Sequence, residues 1–350
     1  MKLLYDILDE LFLDSKLDIK RVAKSVKELS DCYNALKPLE KDYMKDKDSR
    51  FAYLLYFYPI NVFKYLQILQ RHREEFENKK IFFDFGAGPL TFYTALAVSN
   101  IIPEALFAVD VNKEIMQDGL FILKKLNPDF AKRVEFTLPT QNVDVVSFGN
   151  VFAEMSVQDR ENCIKKYLPL LNNKEKTLLI LEPGTHKAFY ALKDIEKFLL
   201  DKSLFKINDC PVDECPMSGK DWCHENLFFM RSKLIERIEN ITALNNRFVN
   251  FCYLLMSGKK RKTSYSKDTF RMISNLIEHK GYYLAHFCGV EGITKIELQK
   301  RDITDKNQKF TLLKRGTVVK ILQLIESGTR KRLTKESLVE IKQQVVVNID

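Results

Sequence analysis

The chain has 350 residues, of which 45% are hydrophobic and 29% charged. That composition excludes a disordered or fibrous protein and leaves room for one large domain with attachments or for two modest ones. No apolar run reaches the roughly 20 residues of a membrane span, and the acids among the leucines of Met1–Asp14 exclude a secretory signal, so no membrane partner is expected and the cytoplasm is the expected compartment, or an organelle if a presequence has been removed. The formal charge of +9 is unevenly placed. Residues 201–350 carry 27 Lys and Arg against 18 Asp and Glu, whereas residues 1–200 carry 29 of each. A basic half suits a phosphate backbone, although a solvated basic surface has the same composition.

Residues 1–76 read as an N-terminal helical region. Apolar residues recur at three- and four-residue spacing in Leu3–Leu13 and Phe51–Leu69, Pro59 is placed to kink or divide the second stretch, and the charge-dense Glu40–Arg50 between them reads as a solvated linker. In residues 77–202 short apolar runs alternate with helical stretches. Strands are expected at Ile81–Phe85, Ala105–Val109, Val134–Thr137, Val143–Phe148 and Thr177–Leu181, with helices near 91–99, 113–125, 156–171 and 187–201. This alternation predicts a Rossmann-type, doubly wound α/β domain. Residues 203–320 read as a cysteine-rich, basic, β-containing part, with a helix near 226–249 and strands at Phe251–Met256, Tyr282–Cys288 and Ile293–Gln299; residues 321–350 read as a C-terminal helix or tail.

The run Asp84-Phe85-Gly86-Ala87-Gly88-Pro89 leaves the first strand and enters a helix. Glycine there lets the backbone turn tightly and approach a ligand, although a plain βα turn uses the same residues. Asp84 ends one strand and Asp110 ends the next, where a carboxylate can accept ribose hydroxyls. Nicotinamide dinucleotides use this geometry too, but their fingerprint wants a third glycine where this chain has Thr91, whereas the acid before the loop suits the amino-acid end of S-adenosylmethionine. The expected cofactor contacts are thus Asp84, Gly86, Ala87, Gly88, Pro89 and Asp110, joined by Ser147 at the end of the fourth strand. Asn150 and Glu154 follow it and Glu182 ends the fifth strand, so these three are the candidates for catalysis; each could instead be a cap or a turn residue. Neither the Asn/Asp-Pro-Pro-aromatic run nor the Pro-Cys or Thr-Cys nucleophile of base methyltransferases occurs.

Seven cysteines, an odd number without a signal peptide, point to reduced thiols. Cys32, Cys163 and Cys252 sit in helical or strand-like surroundings and read as small hydrophobes. Cys210, Cys215 and Cys223 share one polar loop with four and seven residues between them, which leaves a metal one ligand short. Cys288 at a strand end is the best fourth ligand, with His224 or His286 as alternatives, and spacing does not choose between zinc and an iron–sulfur cluster.

Asp84-Phe85-Gly86-Ala87-Gly88-Pro89, Leu181-Glu182-Pro183-Gly184-Thr185, the Cys210-Pro211 and Cys215-Pro216 loop and Asp221-Trp222-Cys223-His224 occur in one order. Together they resemble the mitochondrial ribosomal small-subunit assembly family of methyltransferase-like proteins, which also has bacterial members, over roughly residues 50 to 320. The resemblance implies S-adenosylmethionine binding, association with the small ribosomal subunit through its rRNA, and a 4Fe-4S cluster on Cys210, Cys215, Cys223 and a later cysteine that maps best onto Cys288, with zinc as the alternative. It makes a mitochondrial location the form that the organelle option takes. The chain departs from the family pattern at Leu90, where a glycine is usual, in a first cysteine spacing one residue shorter, and at Ala153, where the family commonly has Asn.

The resulting expectation is a methyltransferase-like protein acting on or with small-subunit rRNA, a monomer off the ribosome. The competing readings are a non-catalytic assembly factor that holds both cofactors and, against the charge asymmetry, a small-molecule methyltransferase. RNA contacts are expected at Lys259, Lys260, Arg261 and Lys262 beside Tyr265, and at Lys314 and Arg315, where cations near an aromatic suit backbone contact with stacking; a solvated loop is the alternative.

Overall fold

The structure, a computed structural model, describes residues 1–34, 43–171, 176–200, 204–212, 214–259 and 266–343. The chain forms two compact units. One comprises Met1–Glu182 with Leu227–Val249; the other comprises Pro183–Asn226 with the described residues from Asn250 on.

The first unit begins with α1 (Lys2–Ser15) and α2 (Ile19–Tyr33). In α2 the Asp18 side chain caps the Lys20 N–H, and Val22, Ala23, Val26 and Leu29 form the buried stripe that helical spacing predicts. The described part of the charge-dense segment is a short turn followed by α3 (Lys47–Ala52). A π-helical turn, Tyr53–Phe57, leads into α4 (Tyr58–Arg71). Pro59 follows directly on this π turn, which divides the helical run between α3 and α4 where a residue without an N–H cannot continue the regular ladder. Twelve consecutive residues of α4, Tyr58–Leu69, are buried, which is why the helix is apolar nearly all round.

The sheet then builds in chain order through β1 (Ile81–Phe85), α5 (Thr91–Val98), β2 (Ala105–Val109), α6 (Lys113–Leu126), the short α7 (Pro128–Ala131), β3 (Val134–Glu135), β4 (Val145–Gly149), α8 (Val157–Tyr167) and β5 (Thr177–Pro183). All neighbours are parallel, in the order β3-β2-β1-β4-β5. This is the doubly wound arrangement expected from the alternating pattern. The chain works outward from β1 to β3 and then resumes at β4 on the other side of β1. The loops after β1 and β4 therefore flank the crevice where such sheets bind ligands.

Beyond Pro183 come α9 (His186–Leu200), β6 (Phe205–Lys206), β7 (Glu225–Phe228), α10 (Lys233–Thr242) and β8 (Phe248–Ser257). α10 returns to the first unit, where it packs on α2 and its Glu239 accepts a 3.0 Å hydrogen bond from the buried Tyr56 hydroxyl. In the second unit β6 pairs antiparallel with the end of β8.

A separate sheet follows, made of β9 (Thr269–Met272), β10 (Ile277–Glu278), β11 (Tyr282–Gly289), β12 (Gly292–Gln299), β13 (Val318–Ser327) and β14 (Arg330–Gln343). β9 pairs with both β13 and β11, so five of the strands close into a ring around Phe270, Phe287, Ile296, Leu298, Val319 and Leu333. Phe310 and Leu313, from the turn between β12 and β13, fill the same core. The expectation of a C-terminal helix or tail at 321–350 is corrected here: the described part of that segment forms most of β13 and all of β14. Val318-Val319-Lys320-Ile321 and the antiparallel register that closes the ring select strand over helix.

Candidate functional site

Gly86 and Gly88 both lie at positive φ, 69° and 50°, where an L-residue is strained. The Gly86 and Ala87 N–H groups donate to the Val109 carbonyl at 2.8 and 3.2 Å, which ties the turn to the end of β2. A Cβ on Gly86 would stand 2.6 Å from Val151 Cγ2, while one on Gly88 would meet nothing within 4 Å. Glycine is thus required at 86 by the neighbouring β4 loop, and the turn is open at 88. Asp110 braces it from the other side, accepting the Gly88 N–H at 2.9 Å and the Asn112 N–H at 2.8 Å. Burial raises the Asp110 carboxyl, and these backbone bonds oppose the rise.

Asp84 lies beneath the turn, 2% exposed, and its Oδ1 has no hydrogen-bond partner among the described residues. Burial pushes its carboxyl up to about 8; a hydrogen bond with Ser147 pulls the other way and the Asp110 charge adds to the rise. Ser147, its register partner on β4, is wholly buried and lies 3.3 Å from the Tyr65 hydroxyl. It supports Asp84 from within the sheet. A buried carboxyl oxygen left without a donor at a ligand crevice fits a ligand that brings one.

The candidates after β4 take different roles. Asn150 holds φ +57°, an uncommon conformation for a residue other than glycine, and its buried Oδ1 has no partner among the described residues. Glu182 is fully buried and accepts the N–H groups of Val151, Phe152 and Ala153 at 2.9, 2.8 and 3.1 Å. Its carboxylate is therefore engaged in holding the β4 loop in shape. Glu154 ends the short turn Phe152–Glu154, and its side chain lies outside the described residues.

Two contributors, Tyr65 and Gly119, are absent from the sequence motifs, and a third, Leu90, shows there only as a departure from the family pattern. Tyr65 of α4 stands so close that a Cβ on Gly149 would lie 2.2 Å from its hydroxyl, and nothing in the sequence marks it. Gly119 of α6 lets that helix meet the Pro89 backbone, since a Cβ there would lie 2.2 Å from the Pro89 oxygen; an isolated glycine inside a helical pattern is the available signal. Leu90 occupies the helix-entry position at φ +57° with its side chain wholly buried.

In the second unit Cys210, Cys215, Cys223 and Cys288 all line one cavity, together with Cys252, Lys206, Glu225 and Arg271. Arg271 donates to Cys223 Sγ at 3.2 Å and pairs with the buried Glu225. Burial pushes the Cys210 thiol up to about 11, and burial with the neighbouring thiols pushes Cys288 up to about 12. Four thiols suit a soft metal centre by donor chemistry. Among the described residues, however, no group of three or more His, Cys, Asp or Glu is arranged to hold an ion. His224 lines the same cavity, where Arg315 Nε donates to its carbonyl at 3.0 Å and the guanidinium lies 3.3 Å from its Nδ1. His286, on β11, has its imidazole pKa lowered by burial and by Lys295.

Of the expected RNA contacts, Lys259 and Lys314 are exposed. Arg315 is half-buried against His224, while Lys260, Arg261, Lys262 and Tyr265 lie outside the described residues. Among the described residues no helix is long and apolar enough to cross a membrane.

The topology and the glycine turn define a doubly wound α/β protein whose sheet order reverses between β1 and β4, together with a unit that carries a thiol-lined cavity and a closed sheet. The chain belongs to the family described as mitochondrial small ribosomal subunit Rsm22, whose model matches residues 49–320. No match was found among curated proteins. Among solved structures, the mitomycin 7-O-methyltransferase MmcR matches at 13% identity and TM-score 0.38 over 49% of this chain, so that this chain spans only 55% of that one. The M1A22 tRNA methyltransferase TrmK of B. subtilis matches at 10% identity and TM-score 0.34, over 56% of this chain and 66% of that one. The plantazolicin methyltransferase BpumL in complex with S-adenosylhomocysteine matches at 11% identity and TM-score 0.35, over 69% and 98%.

Proposed function

We propose that this protein binds S-adenosylmethionine in the first unit and works on or with the rRNA of the small ribosomal subunit as a methyltransferase-like factor. The observation that carries the cofactor reading is the unpartnered Oδ1 of buried Asp84 beneath an open glycine turn. Asp84 would take the ammonium of the amino-acid end, the turn Gly86–Pro89 would let the backbone approach the ligand, and Asp110 has lone pairs left for ribose hydroxyls. When bound, S-adenosylmethionine supplies an electrophilic methyl group. Membership of a small-ribosomal-subunit family supports the RNA partner.

A second reading, an assembly factor that holds the cofactor without transferring its methyl group, is favoured by Glu182. Its carboxylate already accepts three backbone N–H groups, which leaves it poorly placed as a base. Mapping methylation on small-subunit RNA in cells with and without the protein separates the two: one lost modification supports the enzyme, and an unchanged map supports the assembly factor. Binding of S-adenosylmethionine by calorimetry tests what they share, and no heat with the wild-type chain would remove both.

We further propose that Cys210, Cys215, Cys223 and Cys288 hold a 4Fe-4S cluster, with zinc as the alternative occupant. Their shared cavity supports this, as do Arg271 and Lys206, which lie within electrostatic reach of Cys210 and would offset the negative charge of a thiolate-bound centre. Purified without oxygen, the protein should be brown with a broad visible absorption band. Stoichiometric zinc without iron would select the alternative, and neither metal would remove the site.

A further inference from the structure

The closed sheet of the second unit has a definite topology. Its five ring strands in chain order are β9, β11, β12, β13 and β14, and they pair as β9-β11-β12-β14-β13-β9. Only β12 with β14 is parallel; the other four pairings are antiparallel. First to second, second to third, third to fifth in parallel, fifth to fourth and fourth back to first is the five-stranded Greek-key barrel of the OB type. The turn carrying Phe310 plugs the ring between its third and fourth strands. In such barrels the ligand face is the outer surface of strands two and three, flanked by the loops joining strands one to two and four to five.

That face can be read from the pleat. Ala285 and Phe287 of β11, and Ile296 and Leu298 of β12, are in the barrel core, so Tyr282 and His286 face outward, as does Lys295, the register partner of His286. Leu284, Cys288 and Glu297 belong to the same outward set but are buried, Cys288 in the thiol cavity, so the face is open at its Tyr282 end and at Lys295. At the end of the face nearest both flanking loops, three residues from three elements meet. His279, on the turn from strand one to two, stacks on the Tyr282 ring with centroids 4.4 Å apart and planes 21° from parallel. Arg330, at the start of β14 just past the turn from strand four to five, places its guanidinium carbon 5.8 Å from the centre of the Tyr282 ring. The stack is held in place rather than loosely hung. The His279 N–H donates to the Tyr282 carbonyl at 2.8 Å, the Lys300 N–H donates to the Gly281 carbonyl at 2.9 Å, and Arg330 donates to Glu297 at 3.0 Å. His279 and Lys280 are exposed, and Tyr282 is half-buried.

We propose that this face binds single-stranded RNA, with the His279–Tyr282–Arg330 stack as the platform for one unpaired base and the exposed Lys280 and Lys295 beside the path of the backbone. A planar aromatic flanked by a guanidinium and cations, at the position where this barrel type takes its ligand, matches the chemistry of an unstacked base on a phosphate chain. A duplex keeps its bases stacked on one another and cannot use the platform. The choice of RNA rests on the ribosomal reading above; the site itself rests on the barrel topology.

The test uses the full chain and fluorescence anisotropy with a labelled oligouridine of about 12 nucleotides, within the ~4–16 that one such barrel covers, and with a duplex RNA of equal length. The wild type should prefer the single strand. Tyr282→Ala should weaken that binding by roughly 5- to 150-fold, the worth of one stacked base, whereas Tyr282→Phe keeps the ring and stays near wild type. His279→Ala, on an exposed turn, gives a second loss that does not depend on the strand tolerating a truncation, with the thermal midpoint as the check on folding. Equal affinity for duplex and single strand, or wild-type binding by both folded alanine variants, would overturn the platform. If Lys314→Glu abolishes binding while Tyr282→Ala does not, the platform fails and the ribosomal RNA reading survives; if no RNA binds the wild type, both fail.

Discussion

Asp84 is a buried acid whose charge the fold disfavours. Its carboxyl sits near 8 in the native state against an ordinary 3.8, because burial penalises the charge. The sign follows from linkage: with the folded value raised, the native state binds more protons than the unfolded chain between those two values. The stability contribution is therefore complete below about pH 4 and is lost as pH rises toward 8. Asp84→Asn removes the titration, so its thermal midpoint should exceed that of the wild type by more at pH 8 than at pH 5, while calorimetry shows S-adenosylmethionine binding weakened or lost. A pH-independent difference in midpoint would contradict the buried-acid account. Leu90 carries a different conflict, a left-handed backbone under a fully buried side chain. Glycine relieves a strain of about 1–2 kcal/mol there, but deleting a buried leucine side chain costs about 2–5 kcal/mol. Both Leu90→Gly and Leu90→Ala should destabilise in urea unfolding, with the glycine variant about 1 kcal/mol the less affected because only it accepts positive φ freely. The reverse order would mean that φ at this position is not as described.

Among the elements, the β1 turn is shaped by its neighbours as much as by its own glycines. Gly119→Ala gains roughly 1 kcal/mol of helix propensity in α6, yet its Cβ would lie 2.2 Å from the Pro89 oxygen, a backbone atom that cannot rotate away. We expect the collision to win, lowering S-adenosylmethionine affinity by about tenfold or more, or ~1.4 kcal/mol, as read by titration calorimetry; unchanged affinity in a stabilised variant would refute the contact. The parallel strands were legible because burial on both faces makes each a continuous apolar run, and Gly86, Gly88 and Asp110 were legible because their spacing follows from the turn. Glu182 was not, since its three amide partners come from the β4 loop some thirty residues earlier. The thiols were legible as a group because three share one loop, but the fifth one on the cavity, Cys252, looked like a core residue on its own strand. The ring was invisible for the same reason at larger scale. Its closure rests on β9 pairing with β13 about fifty residues later, and the apolar content of Val318–Ile325 fits a helix or tail as well as a strand until that partner is known.

Across the whole molecule, the basic excess of the C-terminal part needs to be divided before it can be assigned to RNA. Arg271, Lys300, Lys306, Arg330, Lys331 and Arg332 are each paired with an acid of the same unit. Those charges are largely spent within the fold; the Arg271–Glu225 pair is buried, and the exposed pairs among the others add little stability. The exposed Lys280, Lys295 and Lys314 are better placed to meet phosphate. Phosphate contacts release counterions and base stacking does not, so the two contributions separate in salt. For a single strand each phosphate contact adds about 0.7 to the slope of log K against log salt concentration. Lys280→Ala and Lys314→Ala should each lower both the affinity and the slope, the latter by roughly that amount, whereas Tyr282→Ala should lower the affinity with the slope unchanged. A slope that falls with Tyr282→Ala would show that the ring acts by placing a cation, and one that ignores every lysine would leave the charge asymmetry as surface solvation.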